Sequence, residues 1–202
     1  MTKIKFCGLF RPDDIEYANE LKPDYVGFVF AKRSRRSVTP ELAELLKGML
    51  NRGIETVGVF VDEPLENVAS LLNSGVIDIA QLHGSEDEDY IRFLQKLTGK
   101  PVIKAFVIKR EDGFAALEEA IKSPADYILL DGGLGAGKAF DWELIKGVDR
   151  PFFLAGGLTP ENVATALEQL SPYALDVSSG IETEGIKDRA KMQAFMAAAR
   201  RS

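Results

Sequence analysis

Apolar residues along this chain gather in short continuous runs separated by longer stretches of mixed pattern. KIKFCG from Lys3, DYVGFVF from Asp24, TVGVFV from Thr56 and IDIAQLH from Ile77 are rich in Val, Ile and Phe. PVIKAFV from Pro101, ADYILLD from Ala125, PFFLAGG from Pro151 and ALDVSSG from Ala174 continue the series. Most lack strict apolar and polar alternation, as parallel strands covered on both faces do, because neither face meets water. The pattern predicts eight such strands.

The stretches between them carry helical spacing. Thr39-Pro40 and Thr159-Pro160 each set a capping hydroxyl ahead of a proline, whose missing N–H does no harm in a first turn. Leu42, Leu45, Leu46 and Met49, and likewise Val163, Ala166, Leu167 and Leu170, then form one apolar stripe each. Ser85 with Glu88 reads as a capping box before Tyr90, Leu94 and Leu97. Leu65, Val68 and Leu72, then Leu117 and Ile121, then Met192, Phe195, Met196 and Ala199 mark further helices, and a short one follows Asp141. Repeated strand and helix over residues 1–202, about 25 residues per unit, predict the α/β class. A single-domain (β/α)8 TIM barrel, parallel and eight-stranded, has this alternation, and so does a doubly wound open sheet. No linker divides the chain, so one domain is expected.

Composition narrows the partners. No apolar run approaches the roughly 18 residues of a membrane span. A net charge of -6 gives no global attraction to nucleic acid, and the local cluster Lys32, Arg33, Arg35 and Arg36 suits a small anion. One cysteine, Cys7, and one histidine, His83, exclude an internal disulfide and argue against a metal site. With no signal-peptide pattern at the N-terminus, a reducing, cytoplasmic location is expected.

Candidate chemistry lies at the strand ends, where β/α barrels gather their sites. Strand seven ends in Ala155-Gly156-Gly157, and strand eight runs through Asp176 to Ser178-Ser179-Gly180, with a one-turn helix expected at Glu182 to Gly185. These glycines either make tight turns or let backbone amides approach a phosphate. Cys7 ends strand one as a buried small hydrophobe, or as a thiol that a nearby cation would bring below its ordinary value of about 8.5. Asp131 ends strand six as a turn residue or as an acid whose proton partial burial retains. In a closed ring, strands six, seven, eight and one are consecutive, so Asp131 and Cys7 would flank the phosphate pocket. Arg36, after strand two, would lie beyond Cys7 with its fork available to a carboxylate. His83 ends strand four, well around the ring, and reads as a substrate contact or a packing residue. Lys104, in strand five, is placed facing the barrel interior with no role assigned.

DGGLGAGKAFDW, from Asp131, imitates a P-loop through Gly132, Gly137 and Lys138. Ala139 lacks the magnesium-binding hydroxyl, Phe140 delays the helix, and the preceding strand cannot supply both halves of a nucleotide site. The glycines read instead as a mobile loop beside the site, closing over substrate.

Lys5-Phe6-Cys7-Gly8, Gly27-Phe28-Val29-Phe30 with Ser34 to Arg36, Gln81-Leu82-His83-Gly84, and Leu130-Asp131 with Phe140-Asp141-Trp142 form an ordered set. Continued by Ala155-Gly156-Gly157-Leu158-Thr159-Pro160-Glu161-Asn162-Val163 and Asp176-Val177-Ser178-Ser179-Gly180, it resembles the phosphoribosylanthranilate isomerase family of tryptophan biosynthesis over essentially the whole chain. The resemblance implies that Cys7 is a general base, Asp131 a general acid and Arg36 the contact for an anthranilate carboxylate. It implies further substrate contacts at Gln81, His83, Gly156, Gly157, Asp176, Ser179 and Gly180. The reaction implied is the Amadori rearrangement of N-(5-phosphoribosyl)anthranilate to 1-(2-carboxyphenylamino)-1-deoxyribulose 5-phosphate, with no metal or organic cofactor. The partner expected is that phosphorylated sugar, with no nucleic acid and no membrane, and the chain is expected to be a monomer or a homodimer. A sister barrel, the aminoimidazole ribotide isomerase of histidine biosynthesis, performs the same rearrangement but uses an aspartate on strand one, where Cys7 stands here. A non-catalytic nucleotide-switch domain built on the glycine loop is the reading from a different class.

Overall fold

The computed structural model describes residues 1–109, 113–132 and 142–201, and in it each apolar run is a strand. They are β1 (Lys3–Cys7), β2 (Tyr25–Val29), β3 (Glu55–Phe60), β4 (Ile79–Leu82), β5 (Val102–Val107), β6 (Tyr127–Asp131), β7 (Phe152–Ala155) and β8 (Ala174–Val177). All eight pair in parallel in chain order, and β8 returns to β1 to close a barrel. That pairing, with Lys5 opposite Asp176, decides against the open sheet.

Helices α1 (Pro12–Leu21), α2 (Pro40–Gly48), α3 (Leu65–Asn73), α4 (Glu88–Thr98) and α5 (Gly113–Lys122) follow the first five strands. A 3-10 turn at Trp142–Ile145 follows β6, α6 (Val163–Gln169) follows β7, and α7 (Arg189–Arg201) follows β8. Among the described residues no helix is long and apolar enough to cross a membrane.

Alternation along the strands divides the core in two. Tyr25, Val57, Ile79, Ile103, Leu129 and Phe153 fill the barrel. Phe6, Phe28, Phe60 and Leu154 point outward onto Leu46, Leu72, Leu94 and Phe195 of the helices. Each such buried side chain contributes about 1.5–3 kcal/mol relative to exposure. At the N-terminal end of the barrel, Lys3 Nζ donates to Tyr25 Oη at 3.1 Å, the Tyr25 and Tyr173 hydroxyls meet at 3.1 Å, and Tyr127 stacks on Tyr173 at 4.8 Å. Side chains thus fill that end.

Several local expectations shift. Thr39 caps α2 as predicted, accepting from Leu42 N–H at 3.2 Å. Asp87, not Ser85, caps α4, because the Ser85 hydroxyl is drawn to Asp62 Oδ1 at 2.7 Å. Thr159 opens a turn, and regular helix begins only after Asn162. Leu45, Met49, Leu97 and Ile121 face outward although the spacing placed them inward; Ala43 and Ile91 take the inward positions. Helix α1, which no apolar stripe announces, buries only Asp14, Ile15 and Ala18. Glu182 to Gly185 is not a helical turn: β9 (Glu182–Thr183) and β10 (Ile186–Lys187) form a hairpin, with Glu184 and Gly185 in the left-handed region at φ 52° and 83°. The remaining P-loop residues, including Gly137, Lys138 and Ala139, the loop expected to close over substrate, and the candidate cap Asp141 lie outside the described residues.

Candidate active site

Odd-numbered residues of β1 face the interior, which brings Lys5 and Cys7 to one wall. Lys5 is fully buried and donates to Asp176 Oδ1 at 2.9 Å across the β1–β8 seam. Burial alone would lower its proton affinity, but the Asp176 charge reverses this and raises it. Cys7 is 8% exposed, at the inner rim of the mouth. The neighbouring cation that could lower the thiol is present as Lys5, but burial outweighs its pull and the net effect pushes Cys7 up.

Asp131, at the end of β6, is seated by a glycine. Gly156 has φ +90°, and a Cβ there would lie 2.7 Å from Asp131 Oδ1 and 2.5 Å from Gly132 N. His83 was expected to stand apart, yet its Nε2 lies 3.6 Å from Asp131 Oδ2. The mouth is narrow enough for an imidazole just after β4 to reach across β5. Burial lowers the proton affinity of His83, outweighing the attraction of Asp131, so the ring favours the neutral form. Its Nδ1 lies 3.1 Å from Gln81 Nε2, and with that amide donating the ring proton sits on Nε2, facing Asp131. Gln81 is buried, and its Oε1 has no hydrogen-bond partner among the described residues.

Arg36 is already engaged. Its Nε and Nη2 donate to Glu182 Oε1 and Oε2 at 2.6 and 2.7 Å, while Arg35 and Lys187 bind the same carboxylate at 2.9 and 2.6 Å. Burial opposes ionisation of Glu182, but the Arg36 and Lys187 bonds prevail and hold it at about 2. One edge of the guanidinium therefore belongs to the protein, and its remaining N–H groups are what a ligand can use. The stem of Arg36 lies on Gly8 at φ +77°, where a Cβ would fall 2.5 Å from its Cδ.

These groups surround one cavity of about 710 Å³. Cys7, Arg36 and Asp176 line one side, Asp131, His83 and Gln81 another, and Gly156, Gly157 and Ser179 lie between them. Gly180, expected at the ligand, does not line the cavity: it packs on the Leu158 carbonyl, joining the loops after β7 and β8. Lys104 has the outward parity of Phe106, not the interior position expected, and its Nζ donates to Gly84 O and Glu86 Oε2 at 2.6 and 2.9 Å. Sequence reasoning assigned nothing to Lys5, Glu182 or Lys187. Lys5 was findable, two residues before Cys7 on a strand; Glu182 and Lys187 gave no signal, because their hairpin was read as a helical turn. Among the described residues there is no group of three or more His, Cys, Asp or Glu that could hold a metal ion.

Residues 4–198 match the family model for N-(5'-phosphoribosyl)anthranilate (PRA) isomerase. The chain is 48% identical over 200 residues to the N-(5'-phosphoribosyl)anthranilate isomerase of Thermoanaerobacter sp. strain X514, covering 97% of each. Its fold superposes on the crystal structure of phosphoribosyl anthranilate isomerase from Thermotoga maritima with a TM-score of 0.90 at 35% identity, over 100% of both chains. A further isomerase structure, in complex with reduced 1-(o-carboxyphenylamino)-1-deoxyribulose 5-phosphate, matches at TM-score 0.88 and 34% identity, again over 100% of both. With a closed barrel, a cysteine and an aspartate on one cavity, and agreement over nearly its whole length, this chain belongs to the N-(5'-phosphoribosyl)anthranilate isomerase family.

Proposed function

We propose that this isomerase of tryptophan biosynthesis performs an Amadori rearrangement of N-(5-phosphoribosyl)anthranilate by general acid and base catalysis, with Asp131 and Cys7 as the pair. Asp131 gives its proton to the furanose ring oxygen, the C1′–O bond breaks, and the nitrogen lone pair forms a Schiff base. The Cys7 thiolate takes the C2′ proton, leaving an enolamine that tautomerises to 1-(2-carboxyphenylamino)-1-deoxyribulose 5-phosphate. The enolamine gains a proton at C1′ as its O2′ hydroxyl loses one, and the proton taken by Cys7 replaces the one given by Asp131 through exchange with solvent. No net hydrogen leaves the substrate, and no external oxidant or reductant enters the balance.

The observation that carries this reading is the arrangement of the cavity. Cys7 and Asp131 stand on different walls, with Gly156, Gly157 and Ser179 between them to receive the phosphate and Arg36 on the Cys7 side for the anthranilate carboxylate. Charge at both ends of the substrate turns remote binding into alignment of C1′ and C2′ between acid and base. The phosphorylated ligand named for the structurally similar isomerase carries a 5-phosphate and an o-carboxyphenyl group, which supports this reading. Gln81, His83 and Asp176 complete the proposed contacts, while Gly180 serves by holding the Ser179 loop.

The test is direct. Purified protein added to freshly made phosphoribosylanthranilate should abolish the substrate's anthranilate fluorescence, and an unchanged signal would remove the assignment.

A further inference from the structure

We propose that Lys5 is a positioning residue for the Cys7 thiolate: its ammonium, anchored by Asp176 inside the barrel, is the counter-charge that lets the sulfur release its proton within a dehydrated wall. This rests on the reading of Cys7 as the base and adds what makes that base usable.

Lys5 is 0% exposed in a barrel whose interior is filled mainly by apolar and aromatic side chains such as Val57, Ile79, Ile103, Leu129 and Phe153. A buried ion pair is a poor means of stabilising a fold, since well-packed apolar residues commonly do as well or better. The space between lysine and cysteine also has a specific origin. Gly27 stands opposite Cys7 in the β1–β2 register, and a Cβ on it would lie 2.9 Å from Cys7 Sγ and 3.2 Å from Lys5 Nζ. Sulfur and ammonium thus share the opening that the glycine leaves.

The charged groups facing Cys7 come from four places. Lys5 lies on its own strand, Asp176 on β8, Lys187 on the hairpin and Arg36 on the loop after β2. Lys187 and Arg36 are both bound by Glu182 at 2.6 Å, and that carboxylate offsets one of their two charges. Lys5 exerts the largest attraction on the thiolate, and Asp176, which anchors Lys5, opposes it with its own negative charge. Lysine and aspartate should therefore move the thiol in opposite directions, which a purely structural pair would not do.

Cys7 is the only cysteine, so alkylation by neutral iodoacetamide reads its thiolate population without labelling elsewhere. Rates are measured across pH for the wild type, Lys5→Met and Asp176→Asn. At fixed pH, alkylation should slow on the order of tenfold in Lys5→Met and quicken several-fold in Asp176→Asn, as expected for one charge lost at close range. An unchanged or faster rate in folded Lys5→Met overturns the proposal, whereas Asp176→Asn also removes the charge that holds Lys5 protonated. If Lys5→Met does not fold, Lys5→Gln takes its place: slower alkylation supports the proposal, and unchanged or faster alkylation overturns it. Turnover by Cys7→Ser is a separate measurement. Normal activity there would remove the base assignment while leaving the alkylation result standing.

Discussion

Arg36 and Glu182 form a two-point pair, Nε to Oε1 at 2.6 Å and Nη2 to Oε2 at 2.7 Å, although they lie 146 residues apart. The pair fixes the plane of the guanidinium and turns a flexible side chain into a rigid fork with one edge bound to Glu182, ready to hold the carboxylate under the proposed function. Arg36→Lys keeps the charge but loses the fork. It should raise KM for phosphoribosylanthranilate about 10–100-fold, the equivalent of one charge-assisted hydrogen bond, with little change in kcat. Steady-state kinetics check this, and an unchanged KM removes Arg36 from carboxylate binding.

The same carboxylate makes stability depend on pH. Glu182 drops from its ordinary 4.5 to about 2 on folding, so its contribution is complete above 4.5 and is lost as pH falls from there through 2. His83 acts in the same direction at higher pH. Burial lowers its affinity below the ordinary 6.5, so the unfolded chain takes up a proton that the folded one resists. Urea unfolding at stepped pH should show stability declining as pH falls below 6.5 and more steeply below 4.5, and Glu182→Gln should make the second decline shallower, the remainder belonging to other lowered carboxylates such as Asp78.

Cys7→Ala and Asp131→Asn should each lower kcat severely, by at least about 100-fold on the scale of general acid and base contributions, while KM changes little. Near-normal turnover in either variant removes that residue from the mechanism.

Gly156→Ala tests the seat of the acid. Its Cβ would press on Asp131 Oδ1 at 2.7 Å and on Gly132 N at 2.5 Å, from a backbone at φ +90° that alanine rarely adopts. A stability loss of about 1–3 kcal/mol from the strain alone is expected, together with a fall in kcat as Asp131 is displaced. Thermal melts and kinetics on one preparation distinguish the two effects.

Lys104 provides a contrast with Lys5. It neutralises Glu86, which also accepts from Asp62 N at 2.8 Å and Gly84 N at 2.9 Å, outside the barrel interior. Lys104→Met should cost about 3–5 kcal/mol by leaving that carboxylate buried and unpaired. The rate of Cys7 alkylation at fixed pH should stay within about twofold of wild type, because Lys104 is not among the charges that face the thiol.

Much of this site was legible because it sits at strand ends. Cys7, Asp131 and the Gly156-Gly157 pair each terminate an apolar run, and in a parallel barrel that position leads to the mouth whatever the helices do. The helix faces were read less well. Leu45, Leu97 and Ile121 fit an apolar stripe yet are exposed, because short helices on a barrel bury only a narrow face and Ala43 or Ile91 can fill it. The role of Arg36 was anticipated only as an open fork, since nothing near it in sequence announces Glu182.

By itself the sequence determined the alternation of strand and helix and the strand ends that line the cavity. Both follow from local periodicity and from each run's own length. Only the tertiary structure decided which charges meet. Closing β8 on β1 places Lys5 beside Asp176 across 171 residues, folding the hairpin back sets Glu182 on Arg36, and the narrow mouth brings His83 to Asp131. Those pairings depend on register and ring closure, and no run of residues encodes either one alone.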